Sequence, residues 1–137
     1  MDPRKINEDL TVSPQITLAD VAQIAALGYK SLICNRPDDE DPGQLSFDEV
    51  AAAAKSAGLE VRHQPVASGM VLDEDGSAFQ DLMAELPKPV FAYCRSGTRC
   101  TILWSLSQSG QKPVNEILEA AGRAGYNMAG IAHRLEE

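Results

Sequence analysis

Val90-Phe-Ala-Tyr-Cys-Arg-Ser-Gly-Thr-Arg99 is the stretch that decides the fold. Four apolar residues without polar alternation read as a central parallel strand covered on both faces. A cysteine then stands at the strand's end, a glycine inside the turn, and an arginine where a helix opens. Ile102, Leu103 and Leu106 carry that helix towards Gly110.

Outward from this unit the same order repeats. Thr17 to Asp20 forms a capping box, Val21, Ile24, Ala25 and Leu27 share one helical face, and Gly28 stops the helix. Ser31-Leu-Ile-Cys34 follows as a short strand. Ser46 and Glu49 form a second capping box, opening an alanine-rich helix that ends at Gly58, after which residues 59–66 read as extended. Phe79, Leu82, Met83 and Leu86 place a helix over 77–86, which Pro87 blocks from continuing. Pro113 precedes another helix over 114–121, and the last turns to Glu137 read as helical.

Strands alternating with helices predict one α/β domain over 1–137, a central parallel sheet flanked by helices. Right-handed crossovers put the loops after the strands on a common edge, where ligands of such sheets bind. Residues 35–44, 65–76 and 94–99 are therefore expected to converge.

The chain of 137 residues suits one domain. Twenty acidic against twelve basic side chains leave a formal charge of -8, which repels polyphosphate backbones and argues against nucleic acid as a partner. The first ten residues lack the apolar core of a secretory signal, and no run is long enough to cross a bilayer. A cytoplasmic protein without membrane contact is expected. Cys34, Cys94 and Cys100 are odd in number, and with His63 and His133 they lack zinc-site spacing, so free thiols and no cofactor are expected. Asp73-Glu-Asp-Gly76 is no calcium loop, because Ala84 stands where the bidentate glutamate belongs.

The chemistry concentrates in residues 94–99. A loop running into a helix N-terminus turns successive N–H groups towards its centre, and Gly97 permits the backbone to do so. Arg95, Ser96, Gly97 and Thr98 are the expected binding residues for an anion, with Arg99 as the catalytic cation. The same field favours thiolate over thiol at Cys94, the expected nucleophile. At a reference pKa of about 8.5 only about 3% of the thiol is ionised at pH 7, whereas at about 5.5 about 97% is.

Other residues carry two readings each. Arg36 either reaches the anion pocket or pairs with nearby acids at the surface. Cys34 is a small buried hydrophobe or a resolving thiol. Cys100 is packing, a weak cap on the thiolate, or half of a regulatory disulfide. Asp38-Asp-Glu-Asp41 reads as a solvated loop. His63 reads as a strand histidine satisfied by a hydrogen bond, or as a group that orients substrate.

The 94–99 loop resembles those of rhodanese-type sulfurtransferases and cysteine-dependent phosphatases. Cysteine through arginine spans six residues here, the rhodanese length, whereas the phosphatase signature interposes five residues between the two. Taken with Leu10-Thr-Val-Ser-Pro-Gln-Ile-Thr17 and Ile33-Cys-Asn-Arg-Pro-Asp38, the loop is similar to the bacterial family called beta-lactamase hydrolase-like, phosphatase-like domain. That resemblance covers nearly the whole chain and implies a protein tyrosine phosphatase-like fold, with a rhodanese-like fold as the alternative. It also implies sulfur transfer, with a persulfide dioxygenase as partner. Cys100 departs from the serine or threonine such relatives carry.

Ester hydrolysis by a cysteine needs an acid for the departing oxygen, which phosphatases place on a loop roughly thirty residues earlier. His63-Gln-Pro-Val-Ala-Ser-Gly69 holds no carboxylate there, and Asp38, Asp73 and Asp75 are out of register. Sulfite leaves thiosulfate without a proton. The sequence therefore points first to a sulfurtransferase that takes sulfur from a small anionic donor and passes it to a thiol acceptor. A phosphatase acting on phosphate esters is the alternative, and a non-catalytic thiol sensor or persulfide carrier the third reading.

Overall fold

A computed structural model describes residues 1–136; the expected helical end at Glu137 lies outside the described residues. Five strands form one sheet: β1 (Arg4–Lys5), β2 (Leu10–Ser13), β3 (Ser31–Cys34), β4 (Glu60–His63) and β5 (Val90–Tyr93), in the order β1-β2-β5-β3-β4. The four longer strands are parallel and β5 is central, with Leu32 opposite Phe91 and Thr11 opposite Phe91 on its two sides. Only β1 runs antiparallel, which makes the sheet mixed rather than wholly parallel.

Strand alternation divides the core into two layers. Phe91 and Tyr93 of β5 join Leu32 and Cys34 of β3 under α1 (Leu18–Ala26) and α2 (Phe47–Ser56). Ala92 and Cys94 point the other way, with Ile33 and Val12, under α3 (Asp73–Glu85), α4 (Thr98–Ser107) and α5 (Val114–Arg123). Both predicted capping boxes are present, Thr17 with Asp20 and Ser46 with Glu49. A 3₁₀ helix over Ala129–Arg134 takes the place of the expected terminal helical turns.

The helix expected from residue 77 begins four residues earlier. Asp73, Glu74 and Asp75 fill its first turn, where carboxylates suit the helix dipole, and Asp75 accepts the Leu72 N–H at 2.8 Å. The preceding loop consequently ends at Leu72.

Candidate active site

α4 is buried along most of its length, and its N-terminal dipole points into the 94–99 turn. Its buried hydroxyls are satisfied locally: Thr101 donates to the Gly97 carbonyl at 2.9 Å and Ser105 to the Thr101 carbonyl at 2.8 Å. Gly97 is the N-cap at φ +90°, a conformation that L side chains rarely adopt. Ser96 Oγ accepts the Thr98 N–H at 3.3 Å, tightening the turn.

Cys94 sits at the centre of this turn. The Gly97 N–H donates to its Sγ at 3.1 Å, and the N–H groups of Ser96 and Cys100 face the same sulfur. Its pKa is lowered from the ordinary 9.0 to about 5: the Cys100 thiol contributes most, burial opposes, and the three N–H groups lower it further. Cys100 thus acts on the sulfur directly. Burial raises the pKa of both Cys100 and Cys34 instead. Cys34 lies in the opposite layer and donates to the Arg36 carbonyl at 3.3 Å.

A cavity of about 610 Å³ opens above the turn. Arg95 and Ser96 line it from the turn, and Thr98, Arg99 and Ile102 from α4. Glu40 joins from the loop after β3, and Ser68 and Gly69 from the loop after β4, so the three loops converge. Cys94 itself is fully buried and does not line the cavity, whereas its neighbours Arg95 and Ser96 do.

Arg99 is held rigidly. Glu40 accepts from its Nη1 at 2.6 Å and its Nη2 at 2.9 Å, and the Val66 carbonyl accepts from Nη1 at 2.8 Å. Arg36 stands behind this pair, 4% exposed, with Nε on Glu40 at 2.8 Å, Nη2 on Asp41 at 2.6 Å and Nη1 on Gln15 at 3.0 Å. Arg36 therefore pairs with acids, but from inside the protein, and all three guanidinium nitrogens are taken. Asp41 also meets Arg95 Nε at 3.3 Å. Hydrogen bonds from Arg99, then from Arg36, hold the Glu40 carboxyl at about 2 against the opposing effect of burial.

The acidic run is solvated only in part: Asp38 and Asp39 are exposed, while Glu40 and Asp41 are drawn into ion pairs. Glu40 and Asp41 tie two arginines of the 94–99 turn to a buried third, and nothing in residue type alone separates them from Asp38 and Asp39. A distinguishing signal is Gln44, whose Oε1 accepts from the N–H groups of Glu40 at 3.0 Å and Asp41 at 3.3 Å. The three out-of-register aspartates are occupied elsewhere. Asp38 caps α2 through the Phe47 N–H at 2.8 Å, Asp73 pairs with Arg134 at 2.8 Å, and Asp75 caps α3. His63 bonds the Arg36 carbonyl at 3.0 Å and stacks on Phe47.

Residues 2–111 match the family described as beta-lactamase hydrolase-like protein, phosphatase-like domain. The chain belongs to this family. It is 36% identical over 134 residues to a beta-lactamase hydrolase-like protein of Agrobacterium fabrum and 37% identical over 134 residues to one of Xylella fastidiosa. It spans 96% of its own length in both matches but only 31% of theirs. A candidate phosphatase from Neisseria meningitidis has the same fold at TM-score 0.88 and 40% identity, over 98% of this chain and 96% of that one. At 18% identity, TpbA of P. aeruginosa, solved with phosphotyrosine, shares the fold at TM-score 0.68 over 90% of this chain and 75% of that one. The family and the phosphatase-type fold agree with the resemblance carried by the motifs; the rhodanese-like alternative has no such support. No helix among the described residues is long and apolar enough to cross a membrane, and no group of three or more metal-ligating side chains occurs among them.

The titration of Cys94 is directly measurable. Its alkylation by iodoacetamide is expected to rise through pH 5 and stay level to pH 9, because the folded pKa is depressed and the thiolate persists above it. Cys34 and Cys100 are expected to stay unreactive throughout. A Cys94 rate that rises only near pH 9 counts against the thiolate.

Proposed function

We propose that this domain is a cysteine-dependent hydrolase of phosphate monoesters whose leaving groups depart as stabilised anions. The Cys94 thiolate attacks phosphorus, the P–O bond breaks, and the leaving group takes the electron pair. Water then releases phosphate from the phosphocysteine and restores the thiolate. The N–H groups of the 94–99 turn and Arg99 stabilise the equatorial oxygens as charge develops. The observation that carries this reading is the cradled Cys94 in a turn whose Arg95, Ser96, Thr98 and Arg99 line a cavity of about 610 Å³. The Neisseria relative, a candidate phosphatase, supports the same choice.

Sulfur transfer is the second reading, favoured by the six-residue turn and by the engagement of Asp38, Asp73 and Asp75 away from the cavity. In it the thiolate takes the outer sulfur of thiosulfate, sulfite leaves with the S–S electron pair, and the Cys94 persulfide passes to a thiol acceptor. A persulfide dioxygenase as partner belongs to that reading. The thiol-sensor reading predicts no turnover with either substrate.

One preparation assayed against aryl phosphates of graded leaving-group pKa and against thiosulfate separates them. Hydrolysis of activated aryl phosphates is expected, falling steeply as the leaving group becomes more basic. Asp38→Asn, Asp73→Asn and Asp75→Asn are each expected to stay within a few-fold of the parent, since none supplies a proton. A leaving-group-dependent loss of about 100 to 10,000-fold at one of them identifies a general acid and removes the restriction to stabilised anions. Thiosulfate transfer without ester hydrolysis promotes the second reading.

A further inference from the structure

Tyr126 lies beyond residues 2–111, the part that the family description covers. The end of α5 sets its position. Gly125 adopts φ +99°, its N–H donates to the Gly122 carbonyl at 3.0 Å, and the Tyr126 N–H returns to the Ala121 carbonyl at 2.9 Å. These two bonds are the paired closure of a Schellman cap. The cap turns the half-buried Tyr126 ring onto the outside of the 94–99 turn, where its hydroxyl donates to the Ser96 carbonyl at 3.0 Å.

The peptide unit that receives this bond also holds the nucleophile. Its carbonyl is that of Ser96, and its N–H is that of Gly97, which donates to Cys94 Sγ at 3.1 Å. A peptide beside a glycine at positive φ rotates at low cost, and rotation here turns a carbonyl rather than an N–H towards the sulfur. Bonds at both ends oppose that rotation, and each polarises the other. Contact is close: a Cβ on Gly97 would overlap the Tyr126 hydroxyl and approach ring carbon Cζ to 2.8 Å. Burial raises the Tyr126 pKa to about 12, so the phenol keeps its donating proton at neutral pH.

We propose that Tyr126 is a positioning residue whose hydroxyl locks the Ser96–Gly97 peptide with its N–H on Cys94, keeping the oxyanion cradle formed. The inference rests on Cys94 as the nucleophile and holds for phosphoryl or sulfur transfer alike. It places part of the control of a turn within residues 94–99 in the C-terminal segment, an element not covered by the family match.

The test compares the parent chain with Tyr126→Phe, which keeps the ring and removes one hydroxyl. Iodoacetamide alkylation of Cys94 against pH, kcat/KM with an activated aryl phosphate, and thermal unfolding are measured on both. In the variant the apparent pKa of Cys94 is expected to rise by about one unit, and kcat/KM to fall about tenfold. The unfolding midpoint is expected to move by no more than about 2 °C. An unchanged alkylation profile in the variant, with an acidic Cys94 in the parent, overturns the role of Tyr126 and leaves the nucleophile standing. A lower unfolding midpoint with slower turnover but no shift in the profile reduces Tyr126 to packing and overturns it as well. A parent Cys94 that titrates only near pH 9 removes the thiolate itself and the inference with it.

Discussion

Cys94→Ser is expected to abolish turnover, by about 10,000-fold or more, with phosphate esters and with thiosulfate. A thiolate is available because the turn and the Cys100 thiol depress the cysteine pKa to about 5, whereas no comparable depression ionises an alkyl hydroxyl at neutral pH. A serine nucleophile needs a base instead. His63 is committed to the Arg36 carbonyl and stacked on Phe47 at a ring-centroid distance of 4.3 Å, and His133 is an exposed residue of the 3₁₀ turn. The substitution also has a signature in stability. Because the folded pKa lies below the ordinary 9.0, the thiolate's contribution is fully present above pH 9 and is lost as pH falls through 5. The difference in unfolding free energy between parent and variant should therefore be flat below pH 5 and grow between pH 5 and 9. Activity retained within a hundredfold of the parent, or a difference independent of pH, assigns the chemistry elsewhere.

Glu40→Gln is expected to lower kcat/KM by about 100-fold or more and to destabilise the fold by about 3 kcal/mol. Glu40 is 21% exposed and its carboxylate joins two buried guanidinium groups, those of Arg99 and Arg36. Replacing it with an amide keeps the shape but turns an NH₂ towards one arginine and leaves two cations without their shared anion. Arg99 is then free to leave the geometry that two bonds at 2.6 and 2.9 Å impose. The pH dependence has a definite sign. With its pKa held at about 2, Glu40 adds stability above its ordinary value of 4.5 that disappears as pH falls through 2. Acid unfolding of the variant should begin at higher pH than in the parent. Glu40→Asp keeps the charge and should recover part of both losses. Parent-like kinetics in Glu40→Gln would show that Arg99 does not depend on this partner.

Local signals in the chain carried much of the fold. The two capping boxes begin α1 and α2 as their spacing requires, because a hydroxyl and a carboxylate three residues apart satisfy each other's backbone N–H groups wherever the chain goes next. The unbroken apolar run of β5 marked a strand with both faces covered. The N-terminal hairpin was not legible: β1 is two exposed residues, and it exists only because β2 offers it an edge. The start of α3 was missed because Asp73, Glu74 and Asp75 read as a polar loop, although carboxylates also suit the first turn of a helix.

The strand, turn and helix around Cys94 are legible locally, since Gly97, the apolar run before it and the helix after it act over neighbouring residues. Residue type and spacing were enough to place a cysteine and an arginine at a ring of N–H groups. The distant groups that hold them emerge only when the loops are brought together in the fold. Glu40 lies 59 residues from Arg99, Tyr126 lies 30 from Ser96, and Arg36 is indistinguishable in sequence from a surface arginine until both loops fold over it. The physical reason is range: capping and periodicity act within a few residues, whereas an ion pair or a hydroxyl brace forms where the sheet brings separate loops to one edge.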